Sequence, residues 1–302
     1  MITTAAWAKA LYPGVNAFWG RSNAAWKPEW VDLFDQEDMG KRAFAEDVST
    51  SGFGLASIKS EGNGVSWDTE QQGFLTRYTP VVYALGFIIT REMYEDDLYD
   101  IAGQRKSESL SFSMNQTKEI HSANVYNRAF NTSYTGTGGK ALLVNDHPNV
   151  AGGTYSNILA TASDLSEAAL EQAYIDIAKF KDDRGNLISV MPQSLIIPVD
   201  SVFLVKRLLD STHRPGGNDN DINALNAMNI FPKGIKVNHY LTDTDAWFIR
   251  TNKPHGMKFW QRRKVEFTMD TDPDTENVMF KATERYAAGW TDPQALFGSP
   301  GA

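Results

Sequence analysis

The clearest alternation lies near the C-terminus, where Val265, Phe267 and Met269 alternate with Lys264, Glu266 and Thr268, and Val278, Phe280 and Ala282 alternate with Met279, Lys281 and Thr283. A period of two with one apolar face predicts two half-buried strands. The intervening DTDPDTEN supplies the Pro, Asp and Asn of a turn, so the pair reads as antiparallel. Further back the period changes. From Thr90 to Phe130 some forty residues run without proline; Thr90 is a candidate N-cap, and Glu92, Glu95, Asp96 and Asp97 suit the positive end of a helix dipole. Tyr94, Leu98, Ile101, Phe112, Ile120, Ala123 and Phe130 form a thin apolar stripe, and Gly103 marks a weak point. A continuous helix of this length would span roughly 60 Å, more than a domain of this size needs, which leaves polar surface for neighbours or solvent.

Between these elements the pattern is mixed α/β. Asp164 to Glu167 predicts a capping box ahead of a helix carrying Leu170, Tyr174, Ile177 and Phe180, ended by a turn at 182–186. Leu195-Ile196-Ile197 reads as a buried strand, Asp200 as the cap of a helix over 202–209, and Ile235-Lys236-Val237 and Ala246 to Ile249 as two more strands. Upstream, Asn63-Gly64 between Leu55–Ile58 and Val65–Trp67 predicts a long hairpin whose strands carry too few large apolar residues to stand alone. Residues 1–50 lack long periodicity yet hold Trp7, Trp19, Trp26 and Trp30. Such an aromatic load needs a surface to bury against. The segment reads as an arm, and docking between subunits is preferred over folding onto its own domain.

Composition narrows the function. The chain has 302 residues, 42% hydrophobic and 22% charged, enough for one large domain or two. Its net charge of −8 is the wrong sign for a general nucleic-acid binder. With no cysteine there are no disulfides, thiolate metal sites or cysteine nucleophiles. The N-terminus lacks the pattern of a signal peptide and no apolar run is long enough to span a membrane, so the chain is expected to be soluble and intracellular when made, with no membrane partner.

Candidate chemistry is sparse. His121, His147, His213, His239 and His255 show no metal-ligand spacing. Gly136 to Lys140 lacks the spacing of a phosphate loop and reads as a flexible linker, and the NDNDIN loop at 218–223 starts like a calcium loop but has Ile230 where a bidentate Glu is needed. No catalytic residue, cofactor-binding residue or metal ligand is assigned, and no cofactor is expected.

The order of arm, hairpin, long helix, α/β module and strand pair resembles the Hong Kong 97-type major capsid protein of tailed bacteriophages. GFIITRE at 86–92, MPQSLIIPVDSVFLVKRLLDS at 191–211, HYLTDTDAWF at 239–248 and FKATERYAAG at 280–289 together resemble the Mu-like major head subunit, or gpT-type, family. The resemblance implies an α+β fold: residues 1–50 as N-terminal arm, 51–90 as E-loop hairpin, 91–135 and 253–287 as a peripheral domain with spine helix, and 136–252 and 288–302 as an axial domain. It also implies a structural subunit, not an enzyme, that forms hexamers and pentamers of an icosahedral head around packaged double-stranded DNA, touched only non-specifically. Assembly would take place in the host bacterial cytoplasm. The implied partners are the chain itself, a separate scaffold, a portal and a decoration or cement protein. Trp7, Trp19, Trp26, Trp30, Lys59 and Trp67 are the expected inter-subunit contacts, with Arg262, Arg263 and Lys264 facing an acidic turn such as 270–276 of a neighbour. Some family members crosslink an E-loop lysine; here Lys59 is expected to be solvated or salt-bridged. Two other readings remain open, an α/β enzyme binding a small ligand in the central module and a decoration or tail subunit.

Overall fold

The computed structural model describes residues 16–95, 99–213 and 221–302. Helical backbone over 16–25 (α1) leads to β1 (Asp35–Asp38), which pairs in parallel with β10 (Met257–Thr271). β10 turns back as β11 (Val278–Trp290), and β4 (Val81–Ile89) adds antiparallel to β11, giving a four-stranded sheet in the order β1-β10-β11-β4. The two long strands are those the alternation predicts: Phe267, Phe280 and Ala282 are buried while Lys264, Glu266 and Lys281 are exposed. Residues 35–38 and 81–89, grouped on sequence with the arm and the hairpin, are thus strands of this sheet.

Of the expected long helix the described residues form α2 (Arg91–Glu95), where Thr90 Oγ1 accepts from Met93 N, and α3 (Tyr99–Asn127), which is unbroken at Gly103. At 1.5 Å per residue α3 is about 43 Å long. The apolar stripe marks its buried face only in part: Ala123 is buried, and Phe130, just past the helix, is half-buried and stacks on Phe248. Phe112 and Ile120 are exposed, whereas Ser107, Leu110, Ser111, Met114, Ser122, Ala123 and Tyr126 are buried. Small residues let the helix approach the sheet closely, so the packed face is marked by serine as much as by hydrophobicity. Leu98 and the side chains of Tyr94 and Ile101 lie outside the described residues.

The second sheet has the order β12-β9-β7-β8, from β12 (Leu296–Ser299), β9 (Trp247–Thr251), β7 (Pro192–Ile197) and β8 (Ile235–Val237). Only β7 and β8 are parallel to each other. Its residues alternate between two cores. Leu195, Ile197, Trp247, Ile249 and Phe297 face α4 (Glu167–Ala178), α5 (Val202–Asp210) and α6 (Ala224–Ala227), while Ile196, Phe248 and Leu296 face Tyr126, Leu142, Phe259 and Tyr286. The second set fuses the α/β module to the end of α3 and the long strands. Asn157, fully buried, fixes this junction: its Nδ2 donates to the carbonyls of Leu142, Pro293 and Leu296 while its Oδ1 accepts from Val144 N.

Two expected caps differ. Ser166, not Asp164, accepts from Ala169 N at the start of α4, and Asp164 instead accepts from Ala302 N. A 3-10 turn (Val199–Ser201) precedes α5, so the Asp200 side chain makes no cap bond. Gly136 to Lys140 is a packed turn and not a loose linker: Thr137 is buried and donates to Thr291 O, and a Cβ on Gly136 would stand 2.6 Å from the Trp290 ring.

Candidate subunit interface

The hairpin predicted around Asn63-Gly64 is differently built. The ladder belongs to β2 (Ala45–Thr50) and β3 (Gln72–Tyr78), and the segments 55–58 and 65–67 are not strands. The turn sits two residues earlier, at Glu61-Gly62, with Asn63 N donating to Ser60 O and Gly62 at φ +81°. Asn-Gly signals a tight turn, but Ser, Lys and Glu in the flanks offer no cross-strand apolar pairs to hold a ladder. Ser57 Oγ and Ser66 Oγ, 2.8 Å apart, bridge the two limbs.

The root of this projection is firmly held. Asp68 accepts from Gly54 N at 2.7 Å and from Arg184 Nη1 at 2.8 Å, while Arg184 Nη2 donates to Thr69 O at 2.6 Å. The amides of Gly54 and Thr69, then Arg184, hold the Asp68 carboxyl below the usual carboxylate range. Gly73 is required where β3 passes β2, because a Cβ there would lie 2.5 Å from Ser49 Oγ and 2.7 Å from a Val150 methyl. On the other side Asp47 pairs with Lys258 and accepts from Thr291 Oγ1 at 2.7 Å, and Thr291 Oγ1 also meets Tyr78 Oη at 2.7 Å. Beyond this anchorage the loop reaches into solvent carrying apolar side chains: Leu55 is 83% exposed, Ile58 99% and Trp67 93%, with Phe53 and Val65 also exposed. Lys59 is exposed among them.

The described arm tryptophans lie on their own subunit. Trp19 is 5% exposed and stacks on Phe267 at 5.1 Å between centroids. Trp26 meets Phe112 edge-on and donates from Nε1 to Glu119 Oε1, and Trp30 packs 4.1 Å from Phe259. Glu119 also accepts from Glu29 N and Trp30 N, and the Glu29 carboxylate in turn holds His239 through its backbone N and Nδ1, so the arm is fastened to α3 and to the α/β module together. Trp7 lies outside the described residues. Arg262 donates to Arg42 O, Arg263 reaches Thr283 Oγ1 and Glu266, and Lys264 is exposed, so the three basic residues are not gathered toward the 270–276 turn of their own chain.

Sequence reasoning missed the residues that fix the loop and the arm: Asp68, Arg184, Glu119, Asp47 and Lys258. Their partners lie roughly 90 to 250 positions away, and no local pattern marks them. Among the described residues no cluster of His, Asp and Glu could hold a metal ion and no helix is long and apolar enough to cross a membrane. A recess of about 250 Å³ at the loop root is lined by His147, Asp183, Lys253 and Asp292. Burial keeps His147 below and Asp183 above their ordinary values, and Lys253 is engaged by Asp292 and Gln294. His147 Nε2 meets Leu142 O and Asp183 accepts from Val150 N, so these groups are engaged within the body beside the root.

A projecting hairpin, a helix laid on a long-stranded sheet and a fused α/β module define the Hong Kong 97-type capsid fold. The structure aligns with the procapsid protein of bacteriophage JBD30 (TM-score 0.54, 13% identity, 99% of this chain and 76% of that one). It aligns likewise with the capsid of cyanophage P-SCSP1u (TM-score 0.55, 10% identity, 89% and 86%) and with the virus-like particle of Pyrococcus furiosus (TM-score 0.50, 12% identity, 95% and 98%). At these identities the likeness establishes the fold. Residues 74–298 match the family model described as phage capsid protein, and the chain belongs to that family. It is a structural protein of a phage capsid, not an enzyme. The description of the matching model names no Mu-like subtype, and no curated protein matches the chain.

Proposed function

We propose that this protein is the major capsid subunit, assembling into hexamers and pentamers that close an icosahedral head around double-stranded DNA in the bacterial cytoplasm. The observation that carries the reading is the loop over 51–71: its root is locked by Asp68 and Arg184, yet Leu55, Ile58 and Trp67 are almost wholly exposed. Apolar side chains held out from the body on a fixed root gain burial only on another molecule. In this reading the loop is the E-loop and lies across a neighbouring subunit, β4, α3, β10 and β11 form the peripheral domain, and the α/β module forms the axial domain. Lys59 flanks the contact, Trp7 belongs to the arm, and an acidic neighbour meets exposed Lys264, with Arg262 and Arg263 beside it in the strand. A scaffold, a portal and a decoration protein are the further partners the reading implies.

The test is sedimentation velocity with negative-stain imaging of the protein expressed with and without its neighbouring genes. Closed polyhedral shells or discrete rings are expected, and replacing 53–69 by a short Gly/Ser link is expected to leave a folded subunit that no longer closes shells. A monomer or dimer under every condition would overturn the reading.

A further inference from the structure

The sheet of the α/β module has two unlike flanks, set about 15 Å apart by the width of four strands. At one flank β8 is the outermost strand. Beside it α5 and α6 leave a groove of about 350 Å³ lined by Val202, Leu209, Ile230, Phe231, Ile235 and Val237. Lys206 lies at this groove, paired to Asp210, and exposed Lys233 stands in the chain between the lining residues Phe231 and Gly234. At the other flank α4 covers β12, with Phe180 just past its end meeting Phe297. The exposed side of α4 is Ala168, Glu171, Gln172, Ile175 and Ala178, a low ridge with one apolar tip and an acidic start, with Lys179 at its C-terminal end.

We propose that these two flanks meet between copies of this chain: the α4 ridge of one subunit, centred on Ile175 and Glu171, seats against the β8–α5 groove of the next. Two different surfaces of one module form a heterologous contact, the kind that repeats around an axis and closes a ring. An open strand edge beside an apolar groove is a surface that soluble proteins otherwise cover or charge. The charges are complementary, with Lys206 and the exposed Lys233 on the groove side and Glu171 on the ridge, which sets the direction of pairing. The proposal rests on the capsid reading and adds to it which surfaces of the axial modules touch within a capsomer.

The test uses the full chain under whichever conditions wild type assembles. Glu171→Lys alone, and Lys206→Glu with Lys233→Glu, are each expected to lower the assembled fraction about tenfold, because like charges then face each other. Combining all three exchanges is expected to restore most of it, with the monomer's melting curve as the check on folding. Ile175→Ser, which removes the apolar tip without changing charge, carries the same expectation if a reversal disturbs the fold. Normal assembly of every variant, or a combination no better than its parts, overturns the contact while leaving the capsid reading intact. Wild type that never assembles overturns both.

Discussion

Lys118 Nζ lies 2.6 Å from Glu284 Oε2, with the two side chains only 13% and 3% exposed, and this pair ties α3 to the centre of β11. The ammonium also lies over the rings of Trp30, Phe259 and Tyr286. Burial raises the Glu284 carboxyl above its ordinary value, and the attraction of Lys118 pulls it back down. Removing one partner leaves the other charge without compensation in an aromatic setting. Glu284→Ala is expected to cost about 3–5 kcal/mol of subunit stability in urea unfolding, whereas Lys118→Met with Glu284→Leu is expected to fall close to wild type. Equal losses for single and double variants would show that the pair is not the determinant.

Glu119 gives the subunit a pH dependence. Burial raises its carboxyl, and the donors Trp26 Nε1, Glu29 N and Trp30 N offset only part of the rise. A carboxyl raised in the folded state binds its proton more tightly there than in the unfolded chain. Its contribution therefore declines as pH climbs from the unfolded value of about 4.3 through the raised folded value, and is level above it. Glu119→Gln, which keeps an acceptor oxygen, is expected to reduce the downward slope of stability against pH in that window. An unchanged slope in urea unfolding at a series of pH values would exclude Glu119 as its source.

Trp19 and Trp67 are expected to behave oppositely. Trp19 fills a core with Phe267 and Phe280, and Trp19→Ala is expected to cost about 3–5 kcal/mol in the subunit. Trp67, 93% exposed, is expected to change subunit stability by less than about 0.5 kcal/mol when replaced by Ala, and to lower the yield of closed shells instead. Denaturation of the unassembled subunit and particle counts, taken on the same preparations, separate the two effects.

Gly256 stands where the chain enters β10, and a Cβ there would come 2.0 Å from Ala295 Cβ and 2.9 Å from Asp292 O. Neither atom is the end of a flexible side chain, and Gly256 O is held by Thr291 N at 2.8 Å. Gly256→Ala is expected to destabilise by about 1–3 kcal/mol through overpacking. A melting temperature equal to wild type would show that the 292–295 turn moves aside without loss.

Elements with a local signal were legible in the chain before any contact was known. The alternation of Val265, Phe267 and Met269 against Lys264 and Glu266 specified β10, Leu195-Ile196-Ile197 specified a buried strand, and Pro273 and Asn277 marked the turn between the long strands. The order of these modules and four short motifs carried the resemblance to the capsid family. Tertiary structure decided what depends on partners far along the chain. The buried face of α3 was set by how closely Ser107, Ser111 and Ser122 let the helix approach the sheet, which a hydrophobic stripe does not record. The arm's Trp19, Trp26 and Trp30 found Phe267, Glu119 and Phe259 on their own subunit, contacts spanning about 90 to 250 residues. The projecting loop took its anchorage from Arg184, over a hundred positions from Asp68. Periodicity reports which side of an element is buried, but which surface buries it is fixed only when the distant segments have been brought together.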